Sequence, residues 1–292
     1  MNIKESRKGI LIAFFGALLI TPDTLFMRLS EMDVWSMLLW RGMQMGIVLI
    51  CITLCMKEYR KNFHLIFSKT GIYIILSQAL GSVSFTYGIV ISSVTVILLC
   101  IATSPLFASF FSYFLLKEKI NKSTIYASLF TILGVSISVL DSHNAINAPQ
   151  GNYFLGLFCG LFTAAALGLN FVLLRSKPKI PAIGATGFGG LLVGIIGILF
   201  VTKKTLLAGD LIAISISGMI ILPFSFAALT YSTRFTQAAN VSLLMLLETI
   251  LGPIWVWIFI KESPSNQMIL GGMIVIITLL LYFLEPFKLR KS

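Results

Sequence analysis

The sequence predicts an all-α integral membrane protein, with ten transmembrane helices arranged as two inverted five-helix repeats. Three observations predict it. The 292 residues are 57% hydrophobic and 11% charged, with a mean hydropathy of +0.96, far less charge than a water-soluble domain carries. Ten apolar runs are each long enough to cross the hydrocarbon core, which takes about 20 helical residues. The chain also repeats itself. Thr86-Tyr87 followed by Lys117-Glu118 returns 144 residues later as Thr230-Tyr231 followed by Lys261-Glu262, with tyrosine and glutamate 31 residues apart in both copies. Gly9 and Arg28 return 147 residues on as Gly156 and Arg175. Two units are therefore expected, 1–144 and 145–292, of five spans each. An odd number of spans makes the second unit insert upside down.

The first run, 9–27, contains Pro22, which frees a backbone carbonyl a turn earlier and kinks the helix. Lys4 to Lys8 ahead of it mimics a secretory leader, but the run exceeds a signal core and nine more follow, so it reads as a retained helix. The second run, 35–56, carries Gly42 and Gly46. The third and fourth, 70–90 and 94–116, follow a basic loop from Lys57 to Lys69, and the fourth holds Pro105. The fifth, 123–141, leads into a polar link from Asp141 to Asn152 that separates the halves. The sixth, 152–174, spaces Gly156, Gly160, Ala164 and Gly168 every four residues, and the seventh, 182–201, does so with Gly190 and Gly194. Such faces let helix backbones approach closely in lipid, for tight packing, for sliding or for a homodimer contact. The eighth, ninth and tenth runs are 211–231, 238–260 and 267–285, with Pro253 in the ninth. Proline at membrane depth is tolerated where neighbouring helices or a cavity satisfy the freed groups. Short alternating segments of the β-barrel kind are missing.

Charge sets the topology. With the amino terminus inside, 17 Lys and Arg side chains fall on the cytoplasmic side and four, Arg28, Lys203, Lys204 and Lys261, on the other. That split follows the positive-inside rule and puts both termini in the cytoplasm of a multi-pass cell-membrane protein. Insertion accounts for the net charge of +11, so the partners expected are the lipid bilayer and a small-molecule substrate, with no nucleic acid. Cys51, Cys55, Cys100 and Cys159 all lie in apolar runs and read as small hydrophobes packed in the bundle, with a soft metal pair at Cys51 and Cys55 as the sharper alternative.

Few residues can carry chemistry. Glu248 lies about ten residues into the ninth run, where an ionised carboxylate costs at least a few kcal/mol unless paired or hydrated. It is a candidate to carry a proton or bind a cation, or else a neutral carboxyl bonded between helices. Arg41, beside Trp40, either pairs with Asp23, snorkels outward or attracts an anionic group. Arg28 reads as an interfacial anchor or gate. Gln78, Tyr87, Asn170, Asn240, Tyr231 and Gln237 add hydrogen-bonding groups that could bridge helices or face a substrate. Trp255 and Trp257 fit an interfacial aromatic belt or a cavity wall. His64 and His143 sit in loops, no lysine sits mid-span, and no Gly-x-x-x-x-Gly-Lys occurs. These absences leave no basis to expect a metal, a cofactor or ATP-driven pumping.

Ten runs in a five-plus-five repeat, a proline followed by Lys-Glu in the fourth and ninth, and the segment Leu247-Glu248-Thr249-Ile250-Leu251-Gly252-Pro253-Ile254-Trp255 resemble the drug/metabolite transporter superfamily in its EamA branch. The likeness covers essentially the whole chain. It implies a central cavity lined by the fourth and ninth helices, alternating access, and a cargo of amino acids or other small metabolites, often exchanged or proton-coupled. On this resemblance Glu248 becomes a cavity residue, and Glu118 and Glu262 structural helix-end residues. The copies differ: Glu248 aligns with Ser104, and Pro253 with Ser109, so the cavity is asymmetric. The expectation is a secondary transporter, exporter or exchanger, of a small polar metabolite such as an amino acid, with proton coupling an option. Glu248 would take the proton or an ammonium group, and Arg41 a carboxylate. An enzyme is not expected, because the runs lack histidine. A non-transporting scaffold or receptor, or an importer of another metabolite or drug-like cation, is the alternative.

Overall fold

A computed structural model of the chain describes residues 3–117, 126, 129–130, 133–134, 136–137, 153–261 and 264–288. Glu118, Glu262, His143, the Asp141–Asn152 link and most of the fifth run lie outside them. The described residues are helical, with no strand among them. Eight helical segments, from Arg7–Leu29 to Ala238–Ile260, are long and apolar enough to cross a membrane, and a shorter apolar stretch, Ile269–Thr278, lies in the last helix, Asn266–Lys288. Phe15, Tyr73, Phe154, Leu199 and Leu281 are each more than half exposed on the outside of the bundle. In water such a surface would aggregate; in a bilayer it faces acyl chains.

Several spans are broken, and the breaks follow from local chemistry. The first consists of Ile3–Ile20 and Asp23–Leu29. Pro22 has no N–H to return to the Leu18 carbonyl. Thr21 supplies the missing donor, with both its backbone N–H, at 3.3 Å, and its hydroxyl, at 2.9 Å, on Leu18 O. The fourth consists of Val94–Ile101 and Ser104–Leu116. There Pro105 removes the donor for Ile101, and Thr103 turns its hydroxyl back to Cys100 O at 2.7 Å. The eighth changes pitch over Ser217–Ile221, a single π turn between Leu211–Ile216 and Leu222–Ser232, just ahead of Pro223. The ninth, Ala238–Leu244 and Leu246–Ile260, breaks at Met245, eight residues before Pro253. Lys117 and Lys261, the two lysines of the repeated Lys-Glu pair, end the fourth and ninth spans in the left-handed region, with φ of 55° and 65°. The shared motif is thus a shared helix stop.

The second span, Val34–Cys55, and the seventh, Ala182–Phe200, form the tightest seam. A Cβ on Gly42 would meet the backbone of Gly194 and lie 2.8 Å from Gly190 O, and one on Gly46 would lie 2.8 Å from Gly187 O. The two backbones touch, which is how helices associate where lipid removes the hydrophobic drive. Cys51 and Cys55 lie nine residues beyond Gly42 and Gly46, half a turn round the helix. That puts both on the exposed face rather than inside the bundle, as expected from sequence; only Cys100 and Cys159 are buried.

The first and sixth spans cross between the halves. A Cβ at Gly9 would meet Phe235 and Thr236 of the second half, and one at Gly156 would meet Ser92 of the first. Arg28, at the far end of the first span, reaches Ser92 O at 2.7 Å. Arg175, at the far end of the sixth (Tyr153–Ser176), reaches Thr236 O at 2.8 Å. The sixth span therefore starts where the first ends, and the two run antiparallel.

Gly42→Ala should lower stability by about 1–3 kcal/mol through overpacking, despite alanine's better helix propensity, whereas Ile47→Ala on the exposed face should change it little. Thermal unfolding of the two variants in detergent checks this; an unchanged Gly42→Ala protein would show that the seam can yield.

Candidate functional site

Three of the breaks and the π turn converge on one chamber. It is lined by the first span (Ile20, Asp23), the second (Leu38, Arg41, Met45), the third (Ser77, Gln78, Ser82, Phe85, Thr86), the sixth (Thr163, Leu167, Asn170) and the seventh (Gly190, Val193). Leu222 and Phe226 of the eighth complete the wall, together with Ile101, Met245 and Glu248 at the broken fourth and ninth. Ile101 and Met245 are 144 residues apart, so the two breaks occupy equivalent places in the repeat. The chamber volume is about 60 Å³, room for a few waters.

One wall is a closed polar cluster. Arg41 and Asp23 form an ion pair through Nη2 and Oδ2, with both side chains buried. The Ser217 hydroxyl donates to the other carboxylate oxygen, Asp23 Oδ1, at 2.5 Å and accepts from Arg41 Nε at 3.1 Å. Arg41 Nη1 donates to the Thr86 hydroxyl at 3.2 Å, and the guanidinium lies 5.9 Å from the Phe85 ring centre. Each guanidinium nitrogen thus has a partner, as a buried arginine requires. The geometry has local causes. Thr21-Pro22 ends the first helical piece and lets Asp23 restart it inside the bundle, and the π turn holds Ser217 against both charges. Such single turns recur at functional sites.

Glu248 stands apart. It occupies the first turn of Leu246–Ile260, where the unpaired N–H groups of a helix start favour negative charge. It is 4% exposed and lines the chamber, with Asp23 and Arg41 as its charged neighbours. Among the described residues its carboxyl forms no hydrogen bond. Across the chamber, Asn170 Nδ2 donates to Ile74 O at 3.1 Å and to the Ser77 hydroxyl at 3.0 Å, and Gln78 Nε2 reaches the Ser82 hydroxyl at 3.3 Å.

The residues singled out from the sequence divide into two sets. Asp23, Arg41, Gln78, Asn170 and Glu248 meet at the chamber. Tyr87, Tyr231, Asn240 and Trp257 do not line it. Tyr231 packs edge-on against Phe235 at 5.2 Å, Asn240 bonds the Thr236 hydroxyl at 2.9 Å, and Trp257 is half exposed on the outside. Trp255 turns inward to Thr21 Oγ1 at 3.3 Å, bracing the first break. Sequence reasoning left Ser217 and Ser77 unnamed and took Thr86 only as punctuation of the repeat. Pro223, which ends the π turn, was the available signal for Ser217; nothing in a single sequence distinguishes Ser77 from a structural hydroxyl.

The family model of the EamA-like transporter family matches the chain twice, over residues 7–140 and 154–284. An uncharacterized transporter, YdfC, of Bacillus subtilis (strain 168) is 24% identical over 200 residues, 66% of this chain and 63% of that protein. An uncharacterized transporter of Clostridium kluyveri is 22% identical over 211 residues, 69% of this chain and 67% of that protein. The chain thus spans a little under two thirds of the Bacillus relative's length. One solved crystal structure superposes with a TM-score of 0.69 at 15% identity, covering 95% of this chain and 98% of that one, a likeness of fold.

Replacing Arg41 alone by methionine strands a buried carboxylate and should cost about 3–5 kcal/mol. Adding Asp23→Leu should recover part of that loss, a non-additivity read by denaturant unfolding of the single and double variants.

Proposed function

Because the chain belongs to the EamA-like transporter family, we propose that its chamber carries a small polar, amine-bearing metabolite, such as an amino acid or related compound, out of the cell. Transport proceeds by alternating access between two halves, 1–144 and 145–292, in the cell membrane with both termini cytoplasmic. The observation that carries this reading is the charge inventory of the chamber. Its lining has two carboxyls and one guanidinium. Asp23 is consumed by Arg41 and Ser217, while the Glu248 carboxyl has no hydrogen-bonding partner among the described residues. A single unneutralised carboxylate at membrane depth needs a compensating cation. A proton or a substrate ammonium supplies it, and exchange of one for the other couples outward movement of amine to inward movement of protons.

The hydrophobic walls, Phe85, Phe226, Leu167 and Leu222, suit the carbon skeleton of such a solute, and the Gln78 and Asn170 amides suit its polar groups. Among the described residues Arg41 is the chamber's one positive side chain for a substrate carboxylate, yet its nitrogens are occupied. That observation favours a second reading, an organic cation without a carboxylate.

Purified protein in liposomes should show flux of labelled amines that grows with an imposed pH gradient. Glu248→Gln should cut that flux about tenfold or more, the scale of losing one buried charge partner, and remove its dependence on the gradient. Unchanged flux and unchanged gradient dependence in that variant would remove Glu248 from the mechanism. Competition by a quaternary amine but not by an amino acid would select the second reading.

A further inference from the structure

At about 60 Å³ the chamber is too small for a metabolite, so carrying one requires the helices around it to move. The two ends are built alike. At one, the connection between the third span (Lys69–Ile91) and the fourth is held twice: Ser92 O accepts from Arg28 Nη2 at 2.7 Å, and the Ser92 side chain lies where a Cβ on Gly156 would be. At the other, the connection between the eighth and ninth spans is held the same way. Thr236 O accepts from Arg175 Nη1 at 2.8 Å, and Thr236 Cβ would be 3.2 Å from a Cβ on Gly9. Ser92 and Thr236 are 144 residues apart, and Arg28 and Arg175 are 147 apart, so this is one device used twice. Gly9 and Arg28 lie 19 residues apart on the first span, so the two devices are about 28 Å apart at 1.5 Å per residue, on opposite faces. Glu248 and the Asp23–Arg41 cluster lie between them.

We propose that Arg28 and Arg175 are paired gate latches, each tying the two halves together at one face of the protein by a charge-assisted bond to a backbone carbonyl that has to release before that face opens. The inference rests on the transport reading above and adds residues that set which face opens. In the structure both bonds are made. Opening the Arg28 end requires Ser92 to leave Gly156 and give up the guanidinium; opening the Arg175 end requires the same of Thr236 and Gly9. Both arginines are half-buried, where a carbonyl partner is worth more than at the free surface.

The ends are not equal. The Thr236 end has a second set of contacts. Arg234 lies 4.5 Å from the Tyr59 ring centre and 3.2 Å from Glu58 Oε1, and Lys8 Nζ lies 5.3 Å from the Phe235 ring centre. The position equivalent to Arg234 is Val90, which cannot make them. These contacts join the Arg175 latch in holding the Thr236 end.

The test is the reaction of a membrane-impermeant thiol reagent with Ser82→Cys, a chamber position, in vesicles of each orientation, after subtracting the labelling of the same protein without that cysteine. Arg28→Gln should raise labelling from the Ser92 face about tenfold, the worth of one charge-assisted bond, without raising it from the other face. Arg175→Gln should do the reverse, and the double variant should label from both faces. Arg28→Lys, which keeps a charge and a donor, should fall between parent and glutamine; it also serves if the glutamine variant does not fold. Equal increases from both faces in the single variants, or none in either, would overturn the proposal. Face-selective labelling with no flux of any solute would sink the transport reading and leave the latches standing.

Discussion

In hydrocarbon no water competes for backbone hydrogen bonds, so every break in a membrane helix has to be satisfied from inside the protein. This constraint organises the molecule. Pro22 and Pro105 each remove a donor within a span, and a threonine one or two residues earlier returns its hydroxyl to the carbonyl chain. Near Pro223 the helix widens into a π turn instead. The ninth span restarts at Leu246 and brings Glu248 into the first turn of a helix. Each interruption faces the same interior space. The chamber is thus less a gap left between helices than the place where their backbones are interrupted and the side chains that repair them collect.

The buried charges follow from that placement. An isolated arginine or aspartate at this depth would be prohibitively costly, and the pair is held only because Ser217 and Thr86 complete the hydrogen bonds that the charges leave over. The arrangement needs the first, second, third and eighth spans together. No single helix, and neither half alone, contains it. This couples folding of the two halves to assembly of the site.

Membrane span positions, the repeat and the Asp23–Arg41 option were legible because each rests on a strong local signal: long apolar runs, repeated punctuation, or charges too costly to leave alone. Glu248 was legible for the same reason. What was not legible depends on which way a helix is turned. Asn240 and Tyr231 looked as eligible as Asn170 and Gln78, since all four are polar groups in apolar surroundings. Rotation about the helix axis decides which two face inward, and nearly uniform hydrophobicity around a membrane helix conceals that rotation. Cys51 and Cys55 were misplaced for the same reason, although their half-turn offset from Gly42 and Gly46 held the answer. The Lys-Glu repeat reads as a spacing in the sequence, while the left-handed backbone at Lys117 and Lys261, where glycine would be the ordinary residue, appears only in the fold.

The glycine seam between the second and seventh spans has a mechanical consequence. Contacts between side chains can yield by rotamer changes, but at Gly42, Gly46 and Gly190 the nearest opposing atoms are main chain, with no torsion available to absorb a shift. Sliding one helix past the other there means lifting it out of register across the whole seam. The pair therefore behaves as a stiff keel running the depth of the membrane. If the bundle rearranges, this seam resists the movement more than contacts made by side chains do.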